Sequence, residues 1–182
     1  MFCDIYSSPL GQITMLSNDG KSLCALFFSD MNRLNFLNFL ENSENSNPAR
    51  CKQNSENSKN SAQRSGEIFA YTKNWLDIYF SGQKPDFTPK LDLNISEFKA
   101  RVYEALPSYS QSTSYGAIAK NIAKGQNKIS AQAVGTALAK NPILLIIPCH
   151  RVLGSHKQLK GYAAGIWRKK ELLKLEKIAF EE

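Results

Sequence analysis

The apolar residues of this 182-residue chain change period once, and that change calls for two differently built halves. Up to residue 28 they come in short runs at 2–7, 12–17 and 23–28. Pro9-Leu10-Gly11 and Asn18-Asp19-Gly20 separate the runs, and both are turn chemistry. This pattern predicts a β-meander. Beyond residue 96 the spacing becomes helical. Residues 97–106 form one predicted helix, ended by Pro107. Residues 114–124 form another, with Tyr115, Ile118, Ala119 and Ile122 on one side and Gly125 closing it. A third covers 130–140, with Ala131, Val134 and Leu138 facing inward and Gln132, Thr136 and Ala139 facing outward.

Between the halves the composition shifts. Residues 32–40 read as a short helix with Leu34, Phe36, Leu37 and Leu40 on its apolar side. Residues 41–66 are dominated by Asn and Ser without apolar periodicity, so they read as a flexible insertion that holds Cys51 as a bystander. Helical spacing returns over 67–80 through Ile68, Tyr71, Trp75 and Tyr79, and Ser81-Gly82 stops it. Residues 83–92 carry two prolines and read as a linker. The expected domains are therefore 1–90, with the insertion at 41–66, and 91–182.

The formal charge is +7, and it is unevenly placed. Residues 1–90 hold nine Lys/Arg and nine Asp/Glu, whereas 91–182 hold fourteen and seven. A basic half joined to a neutral half suits a polyanion, with nucleic acid the leading candidate, although a solubilising surface gives the same imbalance. No run approaches the ~18 apolar residues of a membrane span. Asp4 stands where a secretory signal would carry Lys or Arg, and no apolar stretch follows. Cys3, Cys24, Cys51 and Cys149 form no CxxC pair, and the two histidines, His150 and His156, both lie in the last third. All four cysteines are expected as reduced thiols in the cytoplasm.

The helices at 114–124 and 130–140 make a helix-turn-helix candidate, although the same pattern suits a plain packed pair. The second is rich in Ala and Gly, so its backbone can approach a partner closely. After it come Asn141-Pro142, a predicted strand at 143–147, and Pro148-Cys149-His150-Arg151-Val152. A cysteine nucleophile needs a base or a positive environment to ionise. His150 is adjacent, but neighbours on a regular strand face opposite ways, so the pair cooperates only through a turn or a water. A buried structural cysteine is the simpler alternative. In the predicted C-terminal helix at 167–180, Leu172, Leu175 and Ala179 share the apolar face, and Lys170, Lys174 and Lys177 the opposite one. Glu176 projects from the apolar face, where a carboxylate is costly unless paired. It suits equally a structural acid holding Arg151 and a third group orienting His150.

The run Ile147-Pro148-Cys149-His150-Arg151-Val152, with Asn141-Pro142 before it and Gly161-Tyr162-Ala163 after it, closely resembles the signature of the O6-alkylguanine-DNA alkyltransferases. Thr113-Ser114-Tyr115-Gly116 and Ala133-Val134-Gly135 resemble the same family in the same order. The resemblance is dense over 97–176 and looser before it. It implies an α+β fold, with an N-terminal ribonuclease-H-like β-sheet domain and a C-terminal, mostly helical, winged helix-turn-helix domain. It also implies repair of double-stranded DNA carrying alkylated guanine, entered from the minor groove with the damaged base flipped out. O4-alkylthymine is a second candidate substrate.

Carried over by position, Cys149 takes the alkyl group irreversibly, once per molecule. His150 acts through a water as its base, Glu176 holds the His tautomer, and Asn141 braces the active-site turn. Tyr115, Val152, Tyr162 and Ala163 bind the base, the last through its backbone N–H. The carbonyls of Cys149 and Val152 accept from the guanine 2-amino group. Ala131, Gln132, Gly135 and Arg151 face DNA. Neither metal nor organic cofactor is implied, and the chain is expected to act as a monomer away from membranes. Gln132 stands where the family usually has an arginine that enters the base stack, which predicts weaker base flipping. Two other readings stand beside it: a lesion binder without repair, which Cys149 argues against and the missing arginine favours, and a thiol hydrolase or acyltransferase built on Cys149, His150 and Glu176.

Overall fold

The computed structural model describes residues 1–31, 59–123 and 129–182. The predicted helix at 32–40, residues 41–58 of the predicted insertion with Cys51, and Gly125 lie outside the described residues. The chain divides into two compact units, Met1–Asn94 and Ile95–Glu182.

In the first unit, β1 (Phe2–Ser8), β2 (Gly11–Ser17) and β3 (Ala25–Phe28) form an antiparallel sheet in that order. The register runs from Phe2 opposite Ser17 to Ser8 opposite Gly11, so Pro9 and Leu10 make a two-residue hairpin loop. Gly11 completes it at a φ of 113°, where a side chain would be strained. The second turn closes on Asp19, whose carboxylate accepts from the backbone N–H of Lys21 and Ser22. Those backbone donors hold Asp19 down at about 2.

The run at 23–28 is not one strand. Cys24 N–H bonds Leu16 O, while Leu23 forms an isolated parallel bridge to Leu91. Leu23 N donates to Lys90 O at 2.8 Å, and Asp92 N donates to Leu23 O at 2.7 Å. The end of the predicted linker is therefore stitched to the edge of the first unit.

The helix predicted at 67–80 is longer. As α1 (Lys59–Phe80) it reaches back into the Asn/Ser-rich segment. Helix propagation is cheap once an anchored amphipathic turn exists, so residues 59–66 continue a helix that they would not nucleate. The buried stripe of α1 runs through Ile68, Phe69, Thr72, Trp75, Leu76 and Tyr79. Tyr71, predicted on that stripe, is 45% exposed and rests against Phe87, while Thr72 takes the inward position by donating to Ile68 O. Cys3 is disulfide-bonded, against the expectation of four reduced thiols; Cys24 and Cys149 are free.

The second unit contains α2 (Glu97–Glu104), β4 (Thr113–Ser114), α3 (Tyr115–Ala123), α4 (Ala131–Ala139), β5 (Val152–Leu153) and α5 (Ile166–Leu175). Side-chain oxygens mark three of the helix starts. Ser96 accepts from Lys99 N, Ser114 from Ala117 N and Ser130 from Ala133 N. Arg101 of α2 caps the other end of α3 by donating to Ile122 O. β4 and β5 pair in parallel, Thr113 with Val152 and Ser114 with Leu153. α4 buries Val134, Ala137 and Leu138; Ala131, predicted inward, is exposed because the buried stripe begins one turn later.

The predicted strand at 143–147 is instead a buried turn. Ile147 N donates back to Ile143 O at 3.1 Å, and Leu145 sits at a φ of 68°. Ile143, Leu144, Leu145 and Ile147 are all buried. A short run that is apolar on every side looks the same to a periodicity argument whether it extends or coils.

The C-terminal helix also stops early, at Leu175, with Glu176 as its C-cap. Lys177 follows at a φ of 57° and donates to Lys174 O, and Ile178 N donates to Leu173 O at 2.8 Å. This is a Schellman ending with lysine in the place that favours glycine. Its apolar seal is Ile178 against Leu173 and Leu153. Among the described residues, no helix is long and apolar enough to cross a membrane. Lys177→Gly relieves the left-handed strain and is expected to raise stability by about 0.5–1 kcal/mol, read as a shifted urea midpoint at unchanged slope.

Candidate active site

Cys149 opens a one-turn 3-10 helix, Cys149–Arg151. With about three residues per turn, successive side chains lie about 120° apart instead of on opposite faces. The turn therefore does what a strand could not, and points both Cys149 and His150 into the interior. Cys149 is 6% exposed and His150 is fully buried.

Asn141 shapes the approach to the cysteine. Its Oδ1 accepts from Ile143 N at 3.0 Å, and its Nδ2 donates to Ile147 O at 2.9 Å. The same Nδ2 lies 3.1 Å from Cys149 Sγ. One buried amide thus ties both ends of the apolar turn and places a donor on the sulfur. Burial pushes the Cys149 thiol up. The Asn141 donor, the Lys169 charge and two backbone N–H groups all pull it down.

Behind the cysteine lies a shared carboxylate. His150 Nε2 is 2.8 Å from Glu176 Oε1, while Arg151 Nε donates to Glu176 Oε2 at 2.7 Å and Arg151 Nη2 to Oε1 at 3.1 Å. Both roles read for Glu176 in the sequence are filled at once. Burial raises the carboxyl, but the His150 hydrogen bond and the hydrogen bonds and charge of Arg151 outweigh it and hold Glu176 at about 2. Burial also lowers His150. A neutral imidazole beside an ionised carboxylate carries its proton on Nε2, which makes Nδ1 the basic nitrogen. Arg151 supplies the positive charge that Glu176 needs, so His150 need not.

Arg151 is also where the sequence reading fails. It was expected to face DNA, yet it is 7% exposed, grips Glu176 with two nitrogens and donates to Pro107 O at 3.0 Å. A guanidinium matches a carboxylate two bonds at a time, and burial rewards that match over an exposed phosphate contact.

The other predicted residues fall into two groups. Tyr162 stands edge-on to His150, with ring centroids 6.4 Å apart, and Ala163 follows it half-buried. Val152 is buried in β5 with its carbonyl accepting from Lys169 Nζ at 2.7 Å. The second group lines a groove of about 660 Å³, which Tyr115, Ala131, Gln132, Gly135, Ser155 and Lys160 help to form. Gly135 lies beside the Tyr115 ring: a Cβ there would sit 3.8 Å from it. Lys169 was missed. Its signal was present, since 169, 172, 173 and 176 fall on one helical stripe and the first three are buried with Glu176.

An interior thiol beside a bonded imidazole–carboxylate pair, on a unit of short capped helices, is an arrangement from which a cysteine can act as a nucleophile. Residues 97–178 match the model of the 6-O-methylguanine DNA methyltransferase DNA binding domain, and residues 1–93 match the ribonuclease-like domain of the same proteins. The chain belongs to this family.

A methylated-DNA–protein-cysteine methyltransferase of Mycobacterium leprae is 46% identical over 112 residues, which is 60% of this chain and 66% of that protein. The protein of that name from Methanosarcina acetivorans is 43% identical over 112 residues, covering 60% and 70%. The aligned region thus spans just under two thirds of the mycobacterial relative. A crystal structure of Mycobacterium tuberculosis OGT in complex with DNA superposes with a TM-score of 0.70 at 30% identity, over 97% of this chain and 93% of that one.

The depressed Glu176 carboxyl fixes a sign for acid stability. A folded-state value of about 2 lies below the ordinary carboxylate value, so its contribution is complete above about pH 4.5 and is lost as pH falls toward 2. Wild type is expected to lose stability over that window more steeply than Glu176→Gln, with the variant less stable at neutral pH. Urea midpoints measured from pH 7 to pH 2 check this.

Proposed function

We propose that this chain repairs alkylated DNA by moving the alkyl group from guanine O6 to Cys149, one group per molecule. The observation that carries the reading is the Cys149 sulfur beside the Asn141 amide and the Glu176-bonded His150, on a domain of this family. The double-stranded DNA lies along the exposed face of α4, entered from the minor groove, with the damaged base turned out toward Cys149. Ala131, Gln132 and Gly135 belong to this contact. Small residues there let the helix backbone come close. The basic balance of residues 91–182 favours a phosphate-rich partner.

The chemistry is a displacement at carbon. His150 Nδ1 accepts the thiol proton through a water, and Glu176 holds the imidazole in the tautomer that allows it. The sulfur lone pair forms the new S–C bond as the C–O6 bond breaks with its electron pair on the guanine. The guanine leaves as an anion and regains one proton, so the proton taken from sulfur is balanced. Tyr115 and Tyr162 wall the base, the Ala163 N–H faces O6, and the carbonyls of Cys149 and Val152 receive the 2-amino group. The thioether has no route back, which makes the protein its own consumed reagent. Methyl on O6 of guanine is the principal substrate, with O4-alkylthymine a second. A cytoplasmic monomer suits this role: Cys149 is free, as a thiol nucleophile has to be, while Cys3 is disulfide-bonded.

Intact mass after incubation with O6-methylguanine DNA is expected to rise by one methyl group, and Cys149→Ser is expected to abolish the gain. Many product molecules per protein would point to a hydrolase instead. A second measurement addresses the recognition helix. Gln132 is exposed on α4 and lacks the charge and reach of arginine. Gln132→Arg is expected to speed methyl transfer several-fold at limiting DNA, and an unchanged or slower rate refutes that role.

A further inference from the structure

The groove of about 660 Å³ beside α4 is almost without charge. Its walls come from β4, α3, α4 and the loop after β5. They are made of Ser, Thr, Tyr, Gln, Ala and Gly, with no carboxylate. Lys160 is the one charged residue that lines the groove among the described residues. The groove's cation therefore comes from the loop after β5 and not from the helix.

The fold holds that lysine in place. His156 and Lys157 sit at φ values of 54° and 59°, in the left-handed region that a residue with a side chain enters at a cost. They turn the chain back on itself, so that Gly154 N donates to Gln158 O at 2.8 Å and Gln158 N to Ser155 O at 3.1 Å. The returning limb is fastened twice more. Leu159 N donates to Glu181 O at 2.8 Å, and Lys160 O accepts from Lys169 Nζ at 3.1 Å. The Lys160 stem then lies against Gly154, where a Cβ would sit 3.0 Å from its Cγ and its Cε and 3.3 Å from Gln158 O. Gly154 has an ordinary φ of −73°, so glycine serves there for room and not for backbone freedom. The Lys160 side chain is exposed and takes part in none of the ion pairs among the described residues. A stem packed on the loop with its charged head in water is the arrangement of a side chain ready for an anion.

We propose that Lys160 is a DNA-binding residue of this chain, its ammonium pairing with a phosphate of the strand that passes through the groove beside Tyr115 and Gln132. The proposal rests on this groove being the DNA site. Lysine suits the task, because a compact point charge attracts a phosphate without reading the bases. The packing of its stem on Gly154 reduces the side-chain freedom lost on binding. The contact anchors the strand beside a helix face that offers no charge of its own.

The test uses the full chain and a short unmodified duplex, with affinity followed from about 50 to 200 mM salt. Lys160→Gln and Lys160→Met remove the charge, Met keeping most of the stem, and Lys160→Arg keeps the charge. Lys174→Gln removes a charge elsewhere, from a lysine paired with Glu171. Loss of one phosphate contact lowers the slope of log affinity against log salt by about 0.9. The Gln and Met variants at 160 are expected to lose that much, so that their disadvantage is roughly three- to fourfold larger at the low-salt end than at the high-salt end. Lys160→Arg and Lys174→Gln are expected to keep the wild-type slope. Urea midpoints establish that the variants compared are folded. An unchanged slope in a folded neutral variant at 160 overturns the proposal. So does an equal fall in Lys174→Gln, which would make the effect one of net charge alone. Wild type that binds the duplex but takes no methyl from O6-methylguanine DNA sinks the repair reading and leaves the slope measurable. Wild type that binds no duplex overturns both.

Discussion

One carboxylate, buried at the end of α5, holds the second unit's chemistry in place. Glu176 receives the imidazole of His150 and two nitrogens of Arg151. Removing Glu176 or Arg151 would strand the other's charge in the interior, which costs about 3–5 kcal/mol. Arg151 also reaches Pro107 O, so the pair joins the segment after α2 to the 3-10 turn and the C-terminal helix. The Schellman ending at Lys177 fixes the backbone beside Glu176, and Ile178 seals it against Leu173 and Leu153. Fold and chemistry meet in this cluster: the bonds that set the imidazole tautomer also hold the helix end.

Local signals were legible in the sequence and tertiary choices were not. The hairpin at Pro9-Leu10-Gly11 and the helices at 115–123 and 131–139 follow from residues close to one another. The family signature added the His150–Glu176 pairing, which the helical wheel alone left undecided. Three readings failed for one common reason, that a side chain chooses its partner in three dimensions. Arg151 turned inward because a carboxylate waited there. Residues 143–147 coiled because Asn141 offers backbone partners that a strand would seek elsewhere. Leu23 left β3 because Lys90 and Asp92 supply a second edge. Lys169 lay on the same stripe as Glu176, but a lone basic residue among leucines carries no local mark of the Val152 and Lys160 carbonyls it reaches.

The outward side of the second unit is built on the opposite principle. Where the interior is crowded with exact partners, the exposed face of α4 offers Ala131, Gln132, Thr136 and Ala139, none of which is charged. Such a face binds by fit and closeness. In the proposed repair reading, discrimination between bases falls to the pocket, while the basic residues spread over the second half attract phosphate without sequence preference.

The Asn141 amide has a consequence for how this chain can vary. It spans to positions 143, 147 and 149 at once, so the number of residues between them is set as firmly as their chemistry. Swapping one aliphatic side chain for another inside that stretch alters packing by small amounts. Adding or deleting a single residue would unhook both backbone contacts and slide the sulfur off its donor in one stroke. Length, more than composition, is what inheritance must conserve here.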